Sequence, residues 1–211
     1  LMKHHQGRLE VITGPMFCGK TDELLRRLRR AIIAKQKIQV FKPGFDIRYS
    51  NEKVTSHAGN EYDAYPIDNP TEIPSLLQEN VTVVAIDEAQ FFDDEIITVC
   101  NDLANRGVRV VVAGLDMDFR GNPFGPMPAL MATAEYVTKV HAVCTRTGNL
   151  ANYSYRKSQN DRLVMLGETD EYEPLSRAAF HKAMLKEKIS KLEVKDPEIV
   201  TSKNPKDGSD S

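Results

Sequence analysis

One eight-residue string, GPMFCGKT at positions 14–21, constrains this chain more than any other feature. It fits G-x-x-x-x-G-K-[ST], a loop whose backbone N–H groups wrap a polyphosphate. Gly14 and Gly19 permit the close backbone approach, Lys20 brings a mobile positive charge to the β/γ-phosphates, and the Thr21 hydroxyl suits Mg²⁺. Pro15, Met16, Phe17 and Cys18 complete the nucleotide-contacting turn. Such a loop needs a strand to deliver it and a helix to leave it, because the helix directs the positive end of its dipole at the anion. Both flanks read that way. Residues 9–13 (LEVIT) form an apolar strand ending at Gly14, and residues 20–35 carry Leu24, Leu25, Leu28, Ile32 and Ile33 on one helical face.

The same alternation continues downstream. IQVF at 38–41 predicts a strand stopped by Pro43-Gly44, and residues 42–60 read as a long polar loop. A short strand in EYDAYPI and a short helix in TEIPSLLQ follow. VTVVAI at 81–86 and VRVVVAG at 108–114 are continuous apolar runs, as expected of strands buried on both faces of a parallel sheet. Between them, Ile96, Ile97, Cys100 and Leu103 recur at helical spacing before Gly107. PALMATAEYV reads as a helix and YVTKVHAV as a further strand. The order predicts an α/β fold with a mainly parallel sheet. After Cys144 the chain turns polar, then RLVMLG reads as a strand and residues 174–192 as a helix. The stretch from Lys195 onward lacks an apolar face and is expected to be disordered.

Composition narrows the function classes. The 28 basic residues against 30 acidic ones leave a formal charge of -2, which argues against a nucleic-acid partner and against a polybasic membrane footprint. No apolar run approaches the ~20 residues of a membrane span, and LMKHHQGR has no apolar signal core. Three scattered cysteines exclude a disulfide framework and a four-cysteine metal site, and point to a reducing, cytoplasmic setting.

AIDEAQFF at 85–92 closes the buried strand with acid. Asp87 occupies the place from which a phosphate-loop protein holds the Mg²⁺ shell, and Glu88, next along, lies where a base could take a proton from a nucleophile. D-E-A-Q also occurs in RNA helicases, but those need two such domains and a basic groove. GTP specificity needs N-K-x-D after a strand, and the nearest string here, at 204–207, fails in order and context. Two loops flank this core: KPGFDIRYS (42–50) with Asp46 and Arg48, and GLDMDFRGNPFG (114–125) with Phe119 and Arg120. Phe91, Phe92, Phe119 and Phe124 lie at strand ends or loops, where aromatics either pack the core or sandwich a nucleobase. By themselves, these residues reach a phosphotransferase or hydrolase of the phosphate-loop type. An ATPase in which Glu88 activates water and a non-catalytic nucleotide sensor stay open.

GPMFCGKT, FKPGFDIRYS, AIDEAQFF, NRGVRVVVAGLDMDFRGNPFG and YVTKVHAVC, in this order, resemble the thymidine kinases shared by bacteria and the vertebrate cytosol, over roughly residues 8–181. The resemblance implies transfer of the ATP γ-phosphate to the 5′-hydroxyl of thymidine, with Glu88 as proton acceptor and Thr21 and Asp87 serving Mg²⁺. It implies that the phosphate loop and the segment Asp87, Glu88, Ala89 and Gln90 contact ATP, with Asp46 and Arg48 near the phosphates. It implies Phe91 and Phe119 around the thymine ring, Met16 and Leu115 at its methyl group, and Tyr172 closing over the nucleoside. The backbone at 163–167, marked by Leu163, Met165 and Gly167, would bond the base. A homotetramer, inhibition by dTTP and a lasso-like loop over thymidine are implied as well. On this reading residues 1–143 form the nucleotide-binding domain, 144–192 a small lasso subdomain with its helix, and 193–211 a tail. The departure is at the metal. Members of the family often hold zinc in two C-x-x-C-like pairs, which here read Cys144-Thr145-Arg146-Thr147 and Ser176-Arg177-Ala178-Ala179. Only Cys144 remains, and with nearby His181 it cannot complete a tetrahedral set, so a zinc-free lasso is expected.

Overall fold

The structure, a computed structural model, describes residues 6–44, 53–55, 61–157 and 171–195. Strand β1 (Arg8–Thr13) runs into the phosphate loop, followed by helix α1 (Lys20–Ile33) and strand β2 (Ile38–Pro43). A small hairpin, β3 (Lys53–Thr55) with β4 (Glu61–Asp63), precedes β5 (Tyr65–Ile67). A 3-10 turn and the four-residue helix α2 (Ile73–Leu76) lead to β6 (Val83–Ile86), α3 (Glu95–Asn105), β7 (Arg109–Gly114) and α4 (Met127–Thr133). Then come β8 (Tyr136–Lys139), β9 (Ala142–Val143), β10 (Leu150–Ala151), β11 (Tyr153–Arg156), β12 (Tyr172–Leu175) and α5 (Arg177–Lys195).

Six strands form one sheet in the order β5-β2-β6-β7-β1-β8, and every pairing in it is parallel. The two apolar runs sit at its centre, where Val83 to Ile86 and Val110 to Ala113 are fully buried. Side chains alternate between the two faces. Leu9, Val11, Val84, Ile86, Val110 and Val112 pack with Ile96, Cys100 and Leu103 of α3 and Met127 and Leu130 of α4. Ile12, Val83, Ala85, Val111 and Ala113 pack under Leu24, Leu25 and Leu28 of α1. Each buried Val, Leu, Ile or Met among them contributes about 1.5–3 kcal/mol by leaving water, so both helical layers are held by the same strands. Ile32 and Ile33, although apolar, stay exposed at the end of α1.

The structure departs from the sequence expectations in further places: EYDAYPI holds two short strands instead of one, and the helix read over PALMATAEYV stops at Thr133. Lys53–Thr55 is a strand inside the stretch 42–60 read as a loop. The run 136–143 is broken: β8 closes the large sheet, and β9 turns away to pair antiparallel with β10. The polar stretch after Cys144 contains β11, which pairs antiparallel with β12. Consequently Pro174 lies in a strand, and the helix begins at Arg177 and continues to Lys195. These small strands enclose a third apolar cluster of their own, in which Tyr153 stacks on Phe180 of α5 at 4.4 Å and Tyr155 meets it edge-on. RLVMLG and the tail beyond Lys195 lie outside the described residues. Among the described residues no helix is long and apolar enough to cross a membrane.

Candidate active site

Parallel strands end on the same side, and in such sheets ligands bind outside the carboxyl ends. Thr13, Ile86 and Gly114 end β1, β6 and β7, so the phosphate loop, Asp87-Glu88 and Leu115 to Phe119 emerge along one edge. β7 lies between β1 and β6. The phosphate loop and the acidic pair are therefore two strand spacings apart, about 10 Å, leaving room for a transferring phosphoryl group.

The phosphate loop depends on its glycines for different reasons. Gly14 has φ 144°, and a Cβ there would meet the carbonyl oxygen of Val140 at 2.1 Å. Gly19 caps α1 in the left-handed conformation, and a Cβ there would meet only Asp22 Oδ2, at an ordinary 3.8 Å. Lys20 Nζ donates to the Pro15 carbonyl at 2.8 Å, which folds the ammonium back over the turn. The Met16 amide donates to Ser154 Oγ of β11 at 2.9 Å, tying the loop to the small sheet. Met16, Cys18, Lys20 and Thr21 are half-buried, Pro15 is buried and Phe17 is exposed with φ 65°.

The acidic pair is held by backbone geometry and by one glutamine. Asp87 is buried at 7% exposure, its amide donates to the Phe41 carbonyl, and its Oδ1 accepts the Glu88 amide at 2.9 Å. Glu88 has φ 53°, an uncommon conformation for a side-chain-bearing residue that costs of the order of 1–3 kcal/mol. Gln90 is 2% exposed. Its Nε2 donates to Glu88 Oε2 at 2.6 Å, and its Oε1 accepts the Leu115 amide at 3.1 Å. Gln90 thus joins the Glu88 carboxylate, just past β6, to the loop after β7. Ala89 packs in the core cluster on the α3 side.

Around this edge lie the aromatic residues. Phe91 meets Phe124 edge-on at 5.6 Å, and Phe92 and Phe124 are buried, the packing role weighed for loop phenylalanines. Leu115 and Phe119 are half-buried, and so is Tyr172 at the start of β12. The Arg156 guanidinium lies 3.8 Å over the Phe119 ring, and its Nε and Nη2 donate to the Tyr172 hydroxyl at 3.0 and 2.7 Å. Arg120 stands over the same phenylalanine at 5.0 Å. Ser154, Arg156, the fully buried Lys42, and the Lys139–Asp116 ion pair at 2.9 Å are polar features that the sequence reading did not single out. The one available signal was the alternation of aromatic and polar residues in YSYR. Asp46, Arg48, Leu163, Met165 and Gly167 lie outside the described residues.

At the base of the small strands, Cys144 is buried and faces hydroxyls. Burial pushes its thiol up, but hydrogen bonds from the Thr147 and Ser176 side chains and the Ser176 and Arg146 amides outweigh it and bring it to about 6. Glu173 accepts from Thr145 and Arg146 beside it. Among the described residues no three His, Cys, Asp or Glu side chains converge on a metal position. A thiol and two hydroxyls do not match the tetrahedral donor set that a structural zinc requires.

A parallel sheet with this loop at one strand end and a carboxylate pair two strands away defines a phosphate-loop nucleotide-binding protein. The family model for thymidine kinase matches residues 7–180. A thymidine kinase of Porphyromonas gingivalis is 58% identical over 177 residues, covering 84% of this chain and 86% of that one. A thymidine kinase of Bacteroides thetaiotaomicron is 55% identical over 178 residues, covering 84% and 89%. A thymidine kinase of Rhodothermus is 52% identical over 174 residues, covering 82% and 81%. The chain belongs to the thymidine kinase family.

Proposed function

We propose that this chain transfers the γ-phosphate of ATP to the 5′-hydroxyl of thymidine, with Glu88 as the general base. Thymidine kinase activity with ATP as donor follows from membership in the family. The observation that supports the role of Glu88 is its fixed carboxylate, held by Gln90 at the end of β6. The 5′-oxygen attacks the γ-phosphorus, the bond from that phosphorus to the β–γ bridging oxygen breaks, and ADP leaves. The hydroxyl proton passes to Glu88. Lys20 and the loop amides offset charge on the phosphates. Mg²⁺, when bound, shares that task, and Thr21 and Asp87 offer the hard oxygen ligands it prefers. Asp46 and Arg48 belong near the phosphates. Phe91, Phe119, Leu115, Met16 and Tyr172 enclose the nucleoside, and the backbone at 163–167 bonds its base.

General-base catalysis is worth about 10²–10⁴ in rate. Glu88→Gln therefore loses that much kcat while ATP affinity stays. ATP-dependent phosphorylation compared across thymidine, deoxyuridine, deoxycytidine and water tests the whole reading. Turnover of ATP that is indifferent to thymidine overturns it in favour of an ATPase.

The remaining proposals concern the rest of the molecule. The third apolar cluster, drawn mostly from residues 144 to 183, supports a lasso subdomain over 144–192 that packs on the core of residues 1–143 through Ala142, Cys18 and Met117. The hydroxyls around Cys144 support a hinge without zinc, and stoichiometric zinc by elemental analysis of the purified protein would refute it. Exposed Tyr136 and Val137 on the outer strand β8 support pairing of copies into a homotetramer, since an open apolar edge favours association. Feedback inhibition by dTTP and a cytoplasmic location complete the proposal.

A further inference from the structure

We infer that Arg156 is a positioning residue for the nucleoside, fixing Phe119 and Tyr172 as two walls of one slot. The inference rests on the reading that these two rings bound thymidine. Arg156 ends β11 and stands directly opposite Tyr172, the first residue of β12. Residues directly opposite in an antiparallel pair project from the same face, so the ladder brings the guanidinium to the tyrosine. Phe119 comes from elsewhere, the loop after β7. The guanidinium lies 3.8 Å over the Phe119 ring, and two of its N–H groups converge on the Tyr172 hydroxyl at 3.0 and 2.7 Å. One side chain therefore spans the core loop and the small sheet.

Arg156 is only 3% exposed. Taking a guanidinium out of water is costly unless its face and its donors are both used. Here the flat face is used by a ring, and two of the donors by a hydroxyl. A lysine could supply charge at this place but neither the plane nor the fork. With both rings fixed before substrate arrives, the entropy of ordering them is not charged against thymidine affinity. ATP, whose phosphates meet the loop at the end of β1, gains nothing from this arrangement.

The test measures KM for thymidine, KM for ATP, kcat and melting temperature in full-length Arg156→Gln, Arg156→Lys and Tyr172→Phe. Arg156→Gln should raise the thymidine KM about tenfold or more, from the lost cation–π contact and the paired hydrogen bonds, with the ATP KM within about twofold. Arg156→Lys should not restore it. Tyr172→Phe should raise the thymidine KM on its own, and raise it less when added to Arg156→Gln, because the two act as a unit. An unchanged thymidine KM in Arg156→Gln overturns the inference, as does full rescue by lysine or a parallel rise in both KM values. Where Arg156→Gln does not fold, Tyr172→Phe decides: an unchanged thymidine KM there is equally fatal. A wild-type protein that does not phosphorylate thymidine overturns the underlying site reading, whereas wild-type turnover with an unaffected Arg156→Gln overturns this inference alone.

Discussion

Replacing Gln90 with methionine keeps the length of the side chain and deletes both of its hydrogen-bonding atoms. At 2% exposure no water takes their place. The Glu88 carboxylate loses the donor at 2.6 Å, and a hydrogen bond to a charged group is worth about 1.5–3 kcal/mol. The Leu115 amide loses the acceptor at 3.1 Å, and an orphaned buried amide costs about 1–3 kcal/mol. Allowing for relaxation, stability should drop by roughly 2–4 kcal/mol, read by urea denaturation. Glu88 is also released to rotate. A base displaced by about 1 Å loses on the order of 100-fold in rate, so kcat at saturating ATP and thymidine should fall about 10- to 100-fold with little change in the ATP KM. A kcat within twofold of wild type would mean that Glu88 needs no such anchor. A raised ATP KM with kcat preserved would mean that Gln90 contacts the nucleotide, as the family resemblance implies, and that orientation of the base is not its task.

Gly14→Ala and Gly19→Ala should differ sharply in chemical denaturation. At Gly14 the added Cβ meets a backbone oxygen at 2.1 Å, so the loop must move and several kcal/mol, on the order of 3, are lost together with ATP binding. At Gly19 only the left-handed conformation is strained, for about 1–2 kcal/mol; equal losses at the two sites would refute the steric argument. A third test uses acid. Burial pushes the Glu10 carboxyl up, but hydrogen bonds from Arg109 and Arg8 and their charges hold it down at about 2. Because the folded value is depressed, its stabilisation is complete above about pH 4.5 and is lost as pH falls toward 2. That contribution is on the order of 3 kcal/mol, and Glu10→Gln should remove it at neutral pH and flatten the acid limb of stability. An unchanged acid limb in Glu10→Gln would show that other carboxylates set it.

Much of the central fold was legible because its signals are local. The runs VTVVAI and VRVVVAG could only be satisfied in the middle of a parallel sheet, and Leu24, Leu25 and Leu28 could only face it. The phosphate loop was legible because its residue types are dictated by contact with an anion. The small strands were not. Tyr153 and Tyr155 read as polar-region residues because the ring that covers them, Phe180, lies on α5, more than twenty positions away. Pro174 suggested a helix start, yet it sits in β12 opposite Ser154.

The candidate site divides along the same line. The sequence by itself determined the phosphate loop, the acidic strand end and, through the whole set of motifs, the thymidine kinase family, because each is a contiguous string whose chemistry depends on neighbours in the chain. Only the tertiary structure decided that Gln90, beside Glu88, takes the Leu115 amide from the loop after β7, that Ser154 takes the Met16 amide, and that Arg156 joins Phe119 to Tyr172. Those contacts link different strands and loops. Their geometry exists only once parallel strands have carried their ends to one edge, and no spacing along the chain encodes it.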